Sequence, residues 1–330
     1  MAVEIIAELA QGFEGHPRQA ELLVRAAAAA GVDAVKLQLI YADEIATPDY
    51  KYYNLYRQLE MSFDVWSRLA AQARDAGLAF YLDVSGDRSL AEAATLNAAG
   101  VKISTSNFFN VPLVERALQL FPRVFLGVGG ITVDEIDAFI VRHHVRPGGP
   151  LRFLYGLQAE PTPTADTNLA KLGALQRRFP GHAFGYMDHA EGGHEDAELL
   201  ALLALPFGPA CIEKHLSLDR SLQLEDYVSA LTPAEMRVFV QRVRRFEAGL
   251  GSGLLDLSEP EHAYRRMKLK VVVAKRNIAP GTRLTIDDLE LRRVSDMSGA
   301  VLHLLSDAVG CVSTTAVETG RAVTAEVLAP

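Results

Sequence analysis

The chain has 330 residues, of which 49% are hydrophobic and 22% charged, and its formal net charge at pH 7 is −8. This composition is ordinary for a globular protein with more than one domain, and the negative charge argues against a nucleic-acid partner. The sequence contains no apolar run of about 18 residues, so we expect no membrane span. Its acidic opening, MAVEIIAELA, does not resemble a signal peptide, and we expect a cytoplasmic protein.

The chain has only two cysteines, Cys211 and Cys311. This number is too small for a disulfide framework. Both cysteines have apolar neighbours in the sequence, so we expect two buried free thiols.

Short β-branched runs alternate with longer amphipathic ones from the start of the chain to about residue 250. The predicted strands are Glu4–Leu9, Ala34–Leu39, Ala79–Val84, Val101–Ser104, Val124–Val128, Leu151–Tyr155, Ala183–Met187 and Ala210–Glu213. The predicted helices are Pro17–Ala30, Phe63–Ala76, Ser89–Ala99, Val111–Leu120, Thr132–His143, Asn168–Phe179, Asp196–Leu205 and Pro233–Leu250. Eight strand–helix units predict a (β/α)8 barrel. An open doubly wound sheet is the rival, but no GxGxxG motif follows the first strand.

Polar side chains cluster where these predicted strands end, which is the end that carries the active site in such a barrel. They are Glu8, Gln11, Lys36, Gln38, Asp83, Lys102, Ser104, Ser106, Tyr155, Gln158, Asp188, His189, Lys214 and His215. Any one of them alone is as readily a structural residue. Because seven of the eight strands contribute, the set as a whole predicts an active site.

His189 and His215 end the neighbouring strands seven and eight, so their imidazoles can converge on one divalent metal ion. A purely structural histidine pair is the alternative. Lys36 and Lys102 can hold a carboxylate or a phosphate. The glycines of Gly127–Gly130 either cradle an anion through backbone N–H groups or simply form a turn.

The last part of the chain has a different character. A segment with Gly and Ser follows Leu250, and the stretch APGTRLTIDDL then combines a Pro-Gly turn with a capping Thr and two acids. We therefore predict a barrel over residues 1–252, a linker over 253–269 and a small β-rich domain over 270–330.

Several motifs, in this order along the chain, carry a resemblance to a known family. They are AELAQGFEG, AGVDAVKLQ, VKISTSNFFNVPLVE, EPTPTADTNL, FGYMDHAEG, CIEKHLSLDR and AKRNIAPGTRLTIDDLELRR. Together they resemble the sialic acid synthase (N-acetylneuraminate synthase) family. The resemblance implies a (β/α)8 TIM barrel followed by an antifreeze-like SAF domain.

The resemblance implies an enzyme that condenses phosphoenolpyruvate with an N-acetylhexosamine to a 2-keto-3-deoxy acid, using a divalent metal, typically Mn²⁺, with Mg²⁺, Co²⁺ or Zn²⁺ as alternatives. It implies His189 and His215 as metal ligands and Lys36 and Lys102 as residues that hold the donor. It also implies a domain-swapped homodimer in which an SAF arginine, such as Arg292 or Arg293, contacts the sugar. Strand ends and resemblance together predict Glu8, Lys36, Lys102, Asn107 and Asp188 as catalytic, and Gln11, Gln38, Asp83, Ser104, Ser106, Gln158, Glu160, Lys214 and Asp226 as substrate-binding.

The chain departs from the family pattern at several of these positions. Asp83 stands where the family has a small hydroxyl, Asn107 replaces an acid, Glu160 replaces a Tyr, and Met187 replaces a Ser. An unpaired carboxylate repels a phosphate, so these changes predict an altered substrate.

Three hypotheses remain at this point. The first is a synthase that joins phosphoenolpyruvate to an unusual aldehyde. The second is a metal-dependent aldolase or lyase that acts on a 2-keto acid, in which Lys36 or Lys102 could form a Schiff base. The third is a non-catalytic binding protein.

Overall fold

The computed structural model describes residues 2–330. Eight parallel strands form a closed barrel in sequence order, and β8 pairs with β1 to close it. The strands are β1 Glu4–Ala10, β2 Ala34–Gln38, β3 Ala79–Asp83, β4 Gly100–Ile103, β5 Val124–Gly127, β6 Leu151–Tyr155, β7 Ala183–Asp188 and β8 Cys211–His215. The predicted barrel is confirmed and the open sheet is excluded.

The helices surround this barrel. They are α1 Pro17–Ala30, α2 Ala42–Ile45, α3 Tyr53–Leu59, α4 Phe63–Asp75, α5 Asp87–Thr95, α6 Val111–Leu120, α7 Val133–Arg142, α8 Ala170–Arg178, α9 Asp196–Leu203 and α10 Pro233–Leu250. Pro17 and Pro233 lie in the first turns of their helices, where a missing N–H costs nothing. Gly31 ends α1 in the left-handed region, with φ 83°. The short helices α2 and α3 were not predicted, because neither is long enough to show a hydrophobic period.

Two apolar layers show which way the strand residues point. One cluster fills the inside of the barrel and contains Ile6, Ala34, Tyr81, Phe125, Leu154, Met187 and Cys211. The other lies between the barrel and its helices and includes Ile5, Ala7, Phe184, Tyr186 and Ile212. Because side chains alternate along a strand, the residues two positions beyond the inner cluster also point inward. These residues include Glu8, Lys36, Asp83, His189 and Glu213.

The second compact unit covers Ser252–Pro330 and has its own small core around Val272, Leu284 and Leu289. It contains helix α11 Glu259–Lys268 and two small antiparallel sheets, β9 Val271–Ala274 with β10 Leu289–Arg292 and β11 Val312–Ser313 with β12 Leu328–Ala329. Helix α11 falls within the predicted linker, and Ser258 caps its start. These small sheets agree with the SAF domain that the resemblance implies.

Cys211 is a buried free thiol inside the barrel, and burial raises its pKa. Cys311 is only half-buried, so the prediction of a buried thiol is wrong at that position. A small unit has too little core to cover every apolar residue. Within residues 2–330, no helix is both long enough and apolar enough to cross a membrane.

Candidate active site

Two lysines and three carboxylates form a buried ion cluster inside the barrel. Lys36 Nζ contacts Glu8 Oε2 and lies 3.3 Å from Glu213 Oε2. Lys102 Nζ lies 3.1 Å from Glu213 Oε1, and no described ion pair joins it to Glu8. Asp83 Oδ2 lies 3.9 Å from Lys36 Nζ and 3.6 Å from Lys102 Nζ. Four of these five residues were predicted site residues, and the structure brings them together.

The electrostatics of this ion cluster follow from burial and from the close charges. Burial raises the pKa of Glu8 to about 7, although Lys36 opposes the shift. Burial also acts on Glu213, but Lys102 and Lys36 outweigh it and lower the pKa of Glu213 to about 2. The pKa of Asp83 is raised by burial against both lysines. Glu8 can therefore exchange a proton near neutral pH, whereas Glu213 stays ionised.

Glu213 is the residue that the sequence analysis did not assign to the site. It contacts both lysines and is 2% exposed. The signal for it was its position two residues before His215 in the same strand, since both then face the same side of the sheet.

A polar cavity of about 150 Å³ opens beside the ion cluster. Its lining includes Tyr56 and Ser85. It also includes five predicted site residues, which are Gln11, Gln38, Asp83, Ser104 and Ser106. Gln11 Nε2 donates to Gln38 Oε1 at 2.7 Å, and the hydroxyls of Ser104 and Ser106 lie 2.6 Å apart. Amides and hydroxyls can bind the oxygens of a sugar or of an acid group.

His189 and His215 face each other, with their Nε2 atoms 3.3 Å apart. Burial lowers the pKa of His189 to about 4 and also lowers that of His215, so both rings are neutral at pH 7. Two nitrogens bound to one tetrahedral metal at about 2.1 Å would lie roughly 3.4 Å apart. Within residues 2–330 no group of three His, Cys, Asp or Glu side chains is arranged to hold a metal. The spacing of the two nitrogens fits two ligands of one metal ion, which would leave its other coordination positions to water or substrate.

Asp188 and Lys214 pair with each other instead of joining the ion cluster. Lys214 Nζ lies 2.8 Å from Asp188 Oδ2, and both side chains are at most 1% exposed. Asp188 Oδ1 also accepts hydrogen bonds from the Ala190 N–H and the Tyr186 hydroxyl. Because Met187 and Glu213 point into the barrel, their neighbours Asp188 and Lys214 point away from it. The structure therefore places these two predicted residues on the outer face of the sheet.

The remaining predicted residues lie around the barrel mouth. Gln158 and Glu160 are exposed, and Asn107 is half-buried and accepts a hydrogen bond from Asn110 at 3.4 Å. Asp226 Oδ2 lies 3.7 Å from His215 Nδ1. Burial and a hydrogen bond with Glu160 raise the pKa of Asp226 to about 9, so Asp226 is protonated at pH 7.

The glycines of Gly127–Gly130 are explained by close packing. A Cβ at Gly127 would lie 2.8 Å from the Thr105 hydroxyl, and one at Gly129 would lie 2.2 Å from the carbonyl oxygen of Gly156. Gly130 has φ 80°. These contacts favour the turn interpretation over the anion cradle.

With this geometry established, comparisons with known proteins identify the class of protein. The model of the NeuB family matches residues 23–254, and the SAF domain model matches residues 270–329. The chain therefore belongs to the NeuB family.

Relatives of known name indicate which kind of enzyme the chain resembles. The chain is 28% identical to N-acetylneuraminate-9-phosphate synthase from Mus musculus, over 87% of this chain and 82% of that protein. It is 27% identical to N,N'-diacetyllegionaminic acid synthase from Legionella pneumophila, over 94% of this chain and 90% of that protein. The crystal structure of an N-acetylneuraminic acid synthetase from Leptospira borgpetersenii is similar, with a TM-score of 0.74 and 25% identity, covering 81% of this chain and 93% of that one. The chain is thus a sialic acid synthase-like enzyme of carbohydrate biosynthesis that forms a carbon–carbon bond.

Proposed function

We propose that this enzyme condenses phosphoenolpyruvate with an N-acetylhexosamine or another aldehyde sugar and depends on a divalent metal, with Mn²⁺ as the first candidate. The observation that supports this most directly is that a lysine pair and a histidine pair share one barrel interior. Such a reaction must bring an anionic donor, which lysines can bind, next to an aldehyde that a metal ion can bind.

The reaction balances with one molecule of water. The terminal alkene carbon of the donor attacks the aldehyde carbon, and the aldehyde oxygen takes up a proton. Water adds to the second carbon of the donor, which then loses its bond to the phosphate oxygen and becomes a ketone. The products are a 2-keto-3-deoxy acid and inorganic phosphate.

The chain's own residues fit these steps. Lys36 and Lys102 supply positive charge for the carboxylate or phosphate of the donor. Glu8 has a pKa of about 7 and can move a proton at neutral pH, which suits a general acid or base. Held by His189 and His215, a divalent cation would supply a Lewis acid for the aldehyde.

One observation favours a second candidate, a metal-dependent aldolase or lyase that acts on a 2-keto acid. Asp83 adds a third carboxylate to the two lysines, which disfavours a multiply charged donor. The membership in a family of synthases argues against the third hypothesis, a non-catalytic binding protein.

We also propose the domain-swapped homodimer that the resemblance implies. Two SAF arginines are candidates for the contact with the sugar. Arg292 is paired with Glu290 at 3.0 Å, whereas Arg293 lines a cavity with Ser295, Ser298 and Arg321. The cavity makes Arg293 the better candidate.

The proposed reaction is tested by phosphate release from phosphoenolpyruvate, with Mn²⁺ and a panel of hexosamine and other aldehyde acceptors. We expect release that requires both metal and acceptor. If pyruvate replaces phosphoenolpyruvate as the donor in product formation, the aldolase candidate is correct instead. Release without any acceptor would contradict both.

A further inference from the structure

Asp83 is the carboxylate of the ion cluster that faces the polar cavity. Its side chain lines the cavity and lies within 4 Å of both lysine Nζ atoms. Among the described residues that line this cavity, no side chain is cationic. An anionic ligand that enters the cavity therefore meets Asp83 as it approaches Lys36 and Lys102.

Of the three carboxylates in the ion cluster, Asp83 makes the longest contacts with the lysines. Glu8 contacts Lys36, and Glu213 contacts both lysines. Asp83 brings the count to three carboxylates against two ammonium groups. Its contacts to the lysines are also longer than those of Glu213. Each lysine therefore keeps a nearer carboxylate partner if Asp83 moves away.

We propose that Asp83 is a specificity-determining residue whose carboxylate holds the position at the lysine pair that an anionic group of the donor takes. The donor binds only when this carboxylate moves aside. Ser85 and Ser104 line the same cavity, and their hydroxyls can donate hydrogen bonds to the carboxylate after it moves. Asp83 thus weakens the binding of every small anion at the lysines. The binding free energy of the intended donor must exceed the cost of displacing this carboxylate. This inference rests on the proposed function only in that the donor is an anion.

The test measures anion binding to the full-length protein by calorimetry, at one fixed Mn²⁺ concentration. The probes are inorganic phosphate, pyruvate and phosphoenolpyruvate. The variants are Asp83→Asn, which keeps the shape and removes the charge, and Asp83→Ser, which also removes bulk. The matched control is Asp137→Asn, which removes a carboxylate that pairs with Arg178 on the helical surface.

We expect both Asp83 variants to bind phosphate or phosphoenolpyruvate at least about tenfold more tightly, because a like charge less than 4 Å from the binding position is removed. The control should bind as the unchanged protein does. Tighter binding of inorganic phosphate and phosphoenolpyruvate alone places Asp83 at the phosphate position, and tighter binding of pyruvate and phosphoenolpyruvate alone places it at the carboxylate position. Tighter binding of all three probes shows that Asp83 opposes any small anion at the lysines.

Unchanged or weaker binding in both variants would overturn the proposal. Unchanged binding would mean that Asp83 has no effect on the ligand, and weaker binding that it holds the lysines in place. Thermal unfolding shows whether each variant is folded, and Asp83→Ser carries the test if Asp83→Asn is not. Where turnover is measurable, the donor KM should fall while the acceptor KM stays constant, a pattern that a general structural defect does not produce. Tighter phosphate binding together with no phosphate release from phosphoenolpyruvate would leave this inference standing and remove the proposed donor.

Discussion

Lys102 keeps its charge inside the barrel because the carboxylates of Glu213 and Asp83 lie beside it. Burial alone lowers the pKa of a lysine, yet Glu213 and Asp83 raise the pKa of Lys102 above its ordinary value. For His189, burial and the nearby Lys102 outweigh the carboxylates and lower its pKa to about 4. The barrel interior therefore holds the charged Lys102 beside neutral imidazoles, which suits the anionic donor and the metal that we propose.

At this scale we predict that His215→Ala and His189→Ala each abolish Mn²⁺ binding and turnover and leave the fold intact. Each replacement removes one of the two nitrogens that face each other at 3.3 Å. Bound metal is measured by elemental analysis after dialysis, and the fold by circular dichroism. His262→Ala, in an exposed position of α11, is the control. A His215→Ala protein that keeps its metal and its activity would show that the metal assignment is wrong.

At the scale of the elements, glycines allow the loops that follow the strands to pack closely against each other. The loop after β5 passes so near the loop after β6 that a Cβ at Gly129 would lie 2.2 Å from the Gly156 carbonyl oxygen. A backbone atom cannot move aside as a flexible side chain can. The loop positions that border the site thus depend on the absence of a side chain.

We therefore predict that Gly129→Ala lowers the free energy of unfolding by about 2 kcal/mol or more, through strain. Gly249→Ala is the matched control, because Gly249 lies within α10 and a Cβ there meets nothing within 4 Å. It should raise stability by up to about 1 kcal/mol. Urea denaturation of both variants gives the comparison, and equal effects of the two changes would refute the packing argument.

For the whole molecule, the important feature is the division at Gly251 and Ser252 into two units, each with its own core. The larger unit contains the closed barrel, the ion cluster and both histidines. The smaller unit carries Arg292 and Arg293. If the proposed swapped dimer is correct, each active site needs the smaller unit of its partner.

We predict that a protein ending at residue 251 folds, binds Mn²⁺ and is monomeric, but loses most of its turnover with the acceptor. Light scattering gives the mass, and phosphate release gives the activity beside the full-length protein. Full activity of the shortened monomer would exclude a contribution from the SAF unit.

The sequence alone predicts the barrel, because eight alternations of strand and helix patterns leave few architectures open, and each pattern depends only on nearby residues. It also determined which residues end the strands, and so placed Lys36, Lys102, His189 and His215 at one end of the barrel. Which of these residues face inward follows only from the way the strands pack into the closed barrel. A strand buried on both faces shows no polar contrast from which to assign the two sides. For this reason Glu213 was overlooked as a site residue. Asp188 was predicted as catalytic and Lys214 as substrate-binding, whereas the two pair with each other on the outer face. The pairing of Asp83 with both lysines likewise depends on side chains from separate strands that meet only when the barrel closes.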